Sequence, residues 1–148
     1  MILRSLVSRL KVEEGTGPVK NGRHMPYRDS VGKTTIGYGR NLTDRGLSAT
    51  EAEHLLMTDA LDVLTDLSER LPFWRDLDDV RRVVLADMGF NMGAQKLISG
   101  WPNFLAAVAR KDYTTAADTM LASKWRRQVK GRAVTLAAMM RNGVDVPA

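Results

Sequence analysis

A helix-start signal at residues 48–51 divides the sequence into two parts of different character. Ser48 and Glu51 have the spacing of a capping box, in which each residue accepts a hydrogen bond from the other's backbone amide. The signal predicts a long helix over residues 49–70, which Pro72 brings to an end. Turn residues dominate before this helix and helical spacing dominates after it. The outline is therefore an α+β chain: a small α+β lobe, a long helix and an all-helical lobe.

The part before the long helix begins with one short helix and continues through several turns. Residues 2–13 are predicted to be helical because apolar residues recur there at helical spacing: Leu3, Leu6, Val7 and Leu10. Asn21-Gly22 is typical of a two-residue hairpin turn, since both central residues need positive φ. A second turn is predicted over residues 29–33, leading into a strand at 34–39. These features indicate β structure between the two helices.

The part after residue 48 has the apolar spacing of helices. In the long helix the predicted apolar stripe is Leu55, Leu56, Val63, Leu64 and Leu67. Further helices are predicted, in chain order, from Asp78 or Asp79 to near Gly93, after Gly100-Trp101-Pro102, over 113–123, and over 124–141 with a bend at Gly131. The last of these carries several cations and no acid. A packed helix with a solvated basic face and a contact with anionic lipid or cell wall are both open interpretations.

Composition restricts the class of protein. The chain has 148 residues, of which 44% are hydrophobic, which fits one compact domain. The net charge of +5 and a pI near 9.8 favour polyanionic partners such as nucleic acid, anionic lipid or acidic envelope polymers. Because there is no cysteine, disulfides and thiolate metal sites are excluded. His24 and His54 are too few for a histidine-rich site, so we expect no metal and no cofactor.

The sequence contains no apolar run near the roughly 18 residues that span a bilayer. Its first residues are apolar on one side, but Arg4, Arg9 and Lys11 interrupt them, unlike the apolar stretch of a secretory signal. We therefore expect neither a signal peptide nor a membrane anchor.

Two acids and a hydroxyl in the turn-rich part are candidates for catalysis. Glu14 lies where the first helix meets a glycine turn, and packing against the hairpin would partly desolvate it, which favours the protonated form of a general acid. Asp29 lies beside a turn, where a carboxylate stays hydrated. Two carboxyls in different environments are the working groups of a glycosidase, and Thr35 adds a hydroxyl that can position water. From spacing alone, Glu13 competes with Glu14, and Asp29 can equally cap its turn.

Longer stretches resemble a known family. "LKVEEG", "YRDSVGKTTIGYG" and "NLTDRGLSATEAEHLL" resemble the N-terminal region of phage-type lysozymes, the muramidase endolysins of tailed phages. "LDDVRRVVLADMGFNMG" and "LASKWRRQVKGRA" are similar to later segments of that family, in the same order. The resemblance implies a lysozyme-like fold in a single domain, residues 1–148. Its expected parts are a β lobe at about 12–48, a connecting helix at 49–70, and a helical lobe at about 1–11 and 71–148.

The resemblance also implies roles for individual residues. It selects Glu14 as the general acid, and Asp29 and Thr35 as the groups that hold or activate the attacking water. Arg132 matches an arginine that pairs with the catalytic glutamate. Phe90 and Asn91 match residues that face the cleft expected between the lobes, although Phe90 can equally belong to the core.

Two departures from the family pattern concern the turn-rich part. The link between Glu14 and Asp29 is longer than in the best-known members, and the Asn21-Gly22 turn implies an added hairpin. Arg40 replaces a histidine after the Gly-x-Gly, so a histidine–carboxylate pair is expected to become an arginine pair that is less sensitive near neutral pH. Substrate preference and pH response are where these changes are expected to act.

The implied activity is hydrolysis of the β-1,4 bond between N-acetylmuramic acid and N-acetylglucosamine in bacterial peptidoglycan. Such an endolysin would be a monomer made in the host cytoplasm, and it would act on the periplasmic cell wall once a holin gives access, without contacting the holin. A lytic transglycosylase acting on the same bond is one alternative, which the presence of Asp29 and Thr35 disfavours. A basic nucleic-acid-binding module is another, but no helix-turn-helix or aromatic RNA-binding pattern supports it.

Overall fold

The computed structural model describes residues 2–147. It contains five short strands, followed by a helical region that begins with the long helix α2. The strands are β1 (Val19–Lys20), β2 (Arg23–His24), β3 (Tyr27–Arg28), β4 (Thr34–Ile36) and β5 (Arg40–Asn41). The helices are α1 (Ile2–Glu13), α2 (Ala49–Arg70), α3 (Asp79–Met92), α4 (Ala94–Gly100), α5 (Pro102–Ala109), α6 (Tyr113–Ala122), α7 (Lys124–Val129) and α8 (Gly131–Asn142). A 3₁₀ helix, Trp74–Asp76, precedes α3. The α+β, lysozyme-like fold class is confirmed.

The chain divides into two compact units within α2, between His54 and Leu55. We call the residues up to His54 the strand unit and those from Leu55 onward the helical unit. In this division α1 belongs to the strand unit. The lobe boundaries expected from the family resemblance, with residues 1–11 in the helical lobe, stay a prediction.

The strand unit contains two antiparallel sheets. β1 and β2 form a hairpin in which Val19 lies opposite His24, and Asn21 and Gly22 have φ of 52° and 74°. These positive φ values confirm the predicted Asn-Gly turn. β3, β4 and β5 form the second sheet, in which Thr35 lies opposite Tyr27 on one side and Asn41 on the other. Thr35 is therefore on the central strand, and the hairpin predicted from Asn21-Gly22 is a separate, exposed ribbon.

The capping box at the start of α2 is present as predicted. The Glu51 amide donates to Ser48 Oγ at 3.2 Å, and the Ser48 amide donates to Glu51 Oε2 at 2.8 Å. These bonds satisfy two backbone donors that the first turn of a helix leaves open.

The helical unit contains the hydrophobic core. Its largest fully buried side chains are Leu67, Val84, Leu85, Met88, Leu97, Phe104, Val108, Met120 and Met140. Asp78 is the N-cap of α3, since its side chain accepts from the Arg81 amide at 3.0 Å, and Asp79 is the first residue of the helix. The cation-rich segment predicted over residues 124–141, called the basic segment below, is a helix pair, α7 and α8. The two helices are separated at Lys130, which has φ of 51° and lies next to the predicted bend at Gly131. None of the helices described in residues 2–147 combines the length and apolar character needed to cross a bilayer.

Candidate active site

Glu14 lies immediately after α1, in a backbone turn that fixes its position. Its amide donates to the Leu10 carbonyl at 2.9 Å, which extends the hydrogen-bond pattern of α1 by one residue, and Gly15 turns the chain away with φ of 64°. Glu14 is exposed rather than partly desolvated, so that part of the sequence interpretation is wrong. The neighbouring Glu13 accepts from Arg9 Nε at 2.7 Å and is engaged on the surface of α1. Glu14 is thus the glutamate of this pair that faces the site described next.

A cavity of about 380 Å³ opens beside Glu14 within the strand unit. Its lining residues are Val7, Leu10, Lys11, Glu14, Tyr38 and Gly39. A Cβ atom at Gly39 would lie 3.7 Å from Glu14 Oε2, so the backbone of the Gly37–Gly39 turn runs close to the carboxylate. The sequence predicted a strand over residues 34–39, which would include both glycines. The strand ends at Ile36, and both glycines have positive φ in a turn.

Gly17 fastens the chain after Glu14 to the second sheet. Its amide donates to the Gly37 carbonyl at 3.0 Å. A Cβ atom at this position would come within 2.3 Å of Tyr27 Cε1, so the ring occupies the space that a side chain would need. Only glycine allows the chain that follows Glu14 to lie this close to the Tyr27 ring of β3.

Asp29 is held by the turn that follows β3. Its Oδ1 accepts from the amides of Val31 at 3.0 Å and Lys33 at 2.8 Å, while its own amide donates to the Lys33 carbonyl at 3.0 Å. Asp29 therefore does cap its turn, as one of the two sequence interpretations proposed. The cap uses only Oδ1, and Oδ2 remains directed toward Thr35.

Thr35 is the buried member of the site, with 3% of its surface exposed. Its Oγ1 lies 3.2 Å from the Lys33 carbonyl oxygen and 3.5 Å from Asp29 Oδ2. The second distance exceeds the usual range of about 2.5–3.0 Å, and the single hydroxyl hydrogen can serve only one acceptor at a time. When it points at Lys33, the hydroxyl oxygen and Asp29 Oδ2 are two adjacent acceptors. The structure thus brings Asp29 and Thr35 together, and places Glu14 in the same unit.

Arg40 and Glu51 form the arginine pair expected in place of a histidine pair. Arg40 Nη2 donates to Glu51 Oε2 at 2.6 Å and to the Gly46 carbonyl at 2.8 Å. The hydrogen bond from the Ser48 amide, followed by that from Arg40, lowers the pKa of Glu51 to about 2. The pair connects β5 to the beginning of α2, and the lowered pKa keeps the Glu51 carboxylate ionised across neutral pH.

The three remaining predicted residues lie in the helical unit. Phe90 is 43% exposed and lines a groove of about 430 Å³ together with Asp87 and Arg132. Arg132 Nε donates to Asp87 Oδ1 at 2.8 Å. Asn91 Oδ1 accepts from Trp125 Nε1 at 2.8 Å, which fastens α3 to α7. The expected pairing of Arg132 with Glu14 would join residues of the two units and stays a prediction.

Two residues that share the cavity with Glu14, Lys11 and Tyr38, were not identified as site residues from the sequence. Tyr38 lies between two glycines, and Lys11 lies one turn before Glu14 on α1. The Gly-Tyr-Gly pattern was a signal for the first, because a side chain between two positive-φ glycines is presented by the backbone. Among the residues described, no group of three or more histidine, cysteine, aspartate or glutamate side chains could hold a metal ion.

Four cations, three in α7 and one directly after it, are exposed and have no acidic partner among residues 2–147: Lys124, Arg126, Arg127 and Lys130. We call them the α7 cations. In contrast, Arg132 is paired with Asp87, and Arg141 is paired with Asp118 at 2.6 Å. The uncompensated positive charge of the basic segment is therefore concentrated on α7.

Comparison with known proteins gives two matches of wide coverage. A model of the phage lysozyme family matches residues 19–142, well over half of the chain. A protein named probable T4-type lysozyme 2, from Dictyostelium discoideum, is 24% identical over 171 aligned positions, covering 96% of this chain and 96% of that protein. The family match includes Asp29 and Thr35 and begins after Glu14.

Proposed function

The chain belongs to the phage lysozyme family and is a lysozyme-type peptidoglycan hydrolase, and from this premise we propose that it is an N-acetylmuramidase. Its substrate would be the β-1,4 bond between N-acetylmuramic acid and N-acetylglucosamine. The observation that carries the proposal is the Asp29–Thr35 arrangement, in which one carboxylate oxygen is held by two amides and the other lies beside a buried hydroxyl. Such a pair can hold a water molecule, which a hydrolase needs and a binding module does not.

In the proposed reaction Glu14 supplies the proton and Asp29 receives one. Water held between Thr35 Oγ1 and Asp29 Oδ2 attacks the anomeric carbon, and the bond from this carbon to the glycosidic oxygen breaks. The Glu14 carboxyl proton moves to the leaving oxygen, while a proton of the water moves to Asp29 Oδ2. Because Oδ1 is occupied by the Val31 and Lys33 amides, the carboxylate cannot rotate away from the water. Both product sugars then carry a hydroxyl group at the cleaved bond.

The test is the rate of peptidoglycan hydrolysis by Glu14→Gln, with Glu13→Gln as the matched control. Removing a general acid is expected to reduce turnover by roughly 10²–10⁴-fold. Glu13→Gln should retain near-native turnover, because Glu13 is engaged with Arg9 on the surface of α1. Near-native turnover by Glu14→Gln would overturn the proposal.

A lytic transglycosylase is the alternative on the same bond, using one acid and an internal sugar hydroxyl. It needs no second carboxylate, so the ordered Asp29–Thr35 pair favours hydrolysis. Mass analysis of the released muropeptides distinguishes the two reactions. Reducing ends support the muramidase proposal, and anhydro-sugar ends would contradict it.

Phe90, Asn91 and Arg132 are proposed as supporting residues in the helical unit. Phe90 exposes an aromatic face next to the Arg132–Asp87 pair in one groove, a combination suited to a sugar with an acidic substituent. Asn91 acts by holding Trp125. Substitution of Phe90 by alanine should raise KM more than it changes kcat.

The proposed biological role is that of a phage endolysin in host cell lysis. The protein would be made in the host cytoplasm and act as a monomer on the periplasmic cell wall after a holin gives access, without direct contact with the holin. The family and the predicted activity support this role.

Contact with anionic envelope lipid is proposed for the α7 cations, since their charge is exposed and uncompensated. Arg126→Gln combined with Arg127→Gln in the full chain should weaken cosedimentation with phosphatidylglycerol vesicles by about thirtyfold, at roughly 1 kcal/mol per cation. Lys96→Gln combined with Lys111→Gln removes the same charge elsewhere and should have a much smaller effect. An equal loss of vesicle binding in both double variants would contradict the proposal, because it would show that the net charge of the protein alone causes the attraction.

A further inference from the structure

Tyr38 is an exposed aromatic side chain beside Glu14 that none of the proposed catalytic steps uses. It lies in the turn between β4 and β5, is 43% exposed and lines the same cavity as Glu14. Gly37 and Gly39, with φ of 63° and 83°, flank it. The turn therefore presents the ring at the cavity instead of turning it into the sheet.

Two side chains from different elements hold the ring in place. Lys11 Nζ, from α1, lies 5.5 Å from the ring centroid, within the range of about 6 Å for a cation–π contact. The His24 ring, from β2, has its centroid 5.5 Å from that of Tyr38, at an interplanar angle of 52°. This tilted arrangement lies within the usual range of aromatic pairs.

The position of Lys11 gives the ring a defined relation to Glu14. Lys11 precedes Glu14 by three residues, and both line the cavity together with Tyr38. The cavity wall next to the carboxyl therefore combines an aromatic face with a positive charge. An aromatic face suits the apolar C–H surface of a sugar ring, and an ammonium group suits a carboxylate on that sugar.

We propose that Tyr38 is a substrate-binding residue that contacts a sugar ring bound beside Glu14, with Lys11 directed at an acidic substituent of that sugar. This inference rests on the proposed muramidase activity. His24 is a positioning residue, because it acts through the Tyr38 ring. The added β1–β2 hairpin, which carries His24, thereby acquires a role in substrate binding.

Binding is best measured in a Glu14→Gln background, so that the probe is not consumed. The probe is soluble peptidoglycan released from purified sacculi by sonication, titrated by isothermal calorimetry. Adding Tyr38→Ala should raise Kd about tenfold, the effect of one aromatic contact of ordinary strength. Adding Tyr38→Phe, which keeps the ring, should change Kd less than about threefold. Adding His24→Ala should give an intermediate increase.

Steady-state kinetics in the otherwise native chain separates binding from a structural role. Tyr38→Ala should raise KM and leave kcat within about twofold, with Tyr38→Phe restoring KM. Tyr38→Leu, which keeps apolar volume without a ring, should behave like Tyr38→Ala. Equal Kd values for Glu14→Gln with and without Tyr38→Ala would overturn this inference and leave the muramidase proposal intact. Undiminished hydrolysis by Glu14→Gln alone would instead overturn the muramidase proposal.

Discussion

The helical unit contains every buried apolar side chain found in residues 2–147, whereas within residues 2–54 the strand unit buries only Thr35. The difference shows two ways of ordering a polypeptide. The helical unit is ordered by close packing of a hydrophobic core. The strand unit is ordered by turn hydrogen bonds, such as those to Asp29, and by glycines with positive φ.

This division has a consequence for the proposed chemistry. Glu14, Asp29 and Thr35 all belong to the unit with little hydrophobic core, so their geometry depends on a few polar contacts and one close glycine contact. Substitutions in the buried core of the helical unit should act mainly through stability, and those around Glu14, Asp29 and Thr35 mainly through activity. Four experiments test this contrast.

Phe104→Ala is expected to have the largest effect on stability. Phe104 is fully buried on α5 and packs edge to face against Trp101, with 5.6 Å between the two ring centroids. Loss of a buried phenylalanine side chain should lower the free energy of unfolding by about 3–5 kcal/mol. The measurement is denaturant unfolding followed by circular dichroism. Phe90→Ala, the same change at a 43% exposed side chain, should cost less than about 1 kcal/mol. Equal losses at both positions would contradict the stabilising role assigned to the buried core of the helical unit.

Gly17→Ala should be the most damaging small change in the strand unit. The added Cβ atom would lie 2.3 Å from Tyr27 Cε1, so the ring must move, and Tyr27 is opposite Thr35 in the sheet. We expect an overpacking cost of about 1–3 kcal/mol together with a loss of hydrolytic activity. Gly100→Ala, at a position with open space, is the control and should leave both thermal stability and activity unchanged. Full activity of Gly17→Ala would show that the position of Glu14 does not depend on the close packing of Gly17 against Tyr27.

Thr35→Val should separate activity from stability. The change keeps the side-chain shape and removes the hydroxyl that lies near Lys33 and Asp29. We expect a loss of about 1 kcal/mol in unfolding free energy. Turnover on peptidoglycan should fall about 10²-fold, as for removal of one positioned hydrogen-bonding group. Thr34→Val is the neighbouring control, and a comparable fall in its turnover would remove the preference for Thr35.

The smallest expected effect is a pH-dependent one at the start of α2. The pKa of Glu51 is lowered from 4.5 to about 2, so the stabilisation from its ionised form is complete above pH 4.5 and is lost as pH falls toward 2. Glu51→Gln should therefore lower Tm relative to the native chain above pH 4.5, with the difference shrinking below that value. Glu53→Gln on the same helix is the control. A Tm difference that is constant from pH 2 to 7 would contradict the assignment.

The elements that sequence predicted well are those fixed by contacts between near neighbours. The capping box, the Asn21-Gly22 turn and the break before Gly131 each involve residues within a few positions of one another. Their chemistry is local, so the order of residues is sufficient to identify it.

Burial was predicted less well, because it depends on residues distant in sequence. The apolar spacing of α1 indicated a helix correctly, yet none of its residues is buried. In α2, the expected stripe is buried only at Leu67, and Leu55, Leu56 and Leu64 are exposed. Periodicity identifies the face of a helix that is apolar, but not what covers it.

The candidate site shows the same limit. Glu14, Asp29 and Thr35 could be named from the sequence through a family resemblance, but spacing alone left Glu13 and turn capping open. Lys11 and Tyr38, which line one cavity, are 27 positions apart in the sequence. Arg132 and Asp87, which form an ion pair, are 45 positions apart. Neither pair could be recognised from a local sequence pattern.

The capture of Asp29 Oδ1 by two backbone amides bears on how the site can change during evolution. The amide groups of Val31 and Lys33 hold the carboxylate, and any residue except proline supplies such a group at those two positions. Side chains there can therefore vary without moving Asp29. Inserting or deleting one residue between positions 29 and 33 would change which amide reaches Oδ1. The site should tolerate substitution at these two positions far better than a change in the length of the loop.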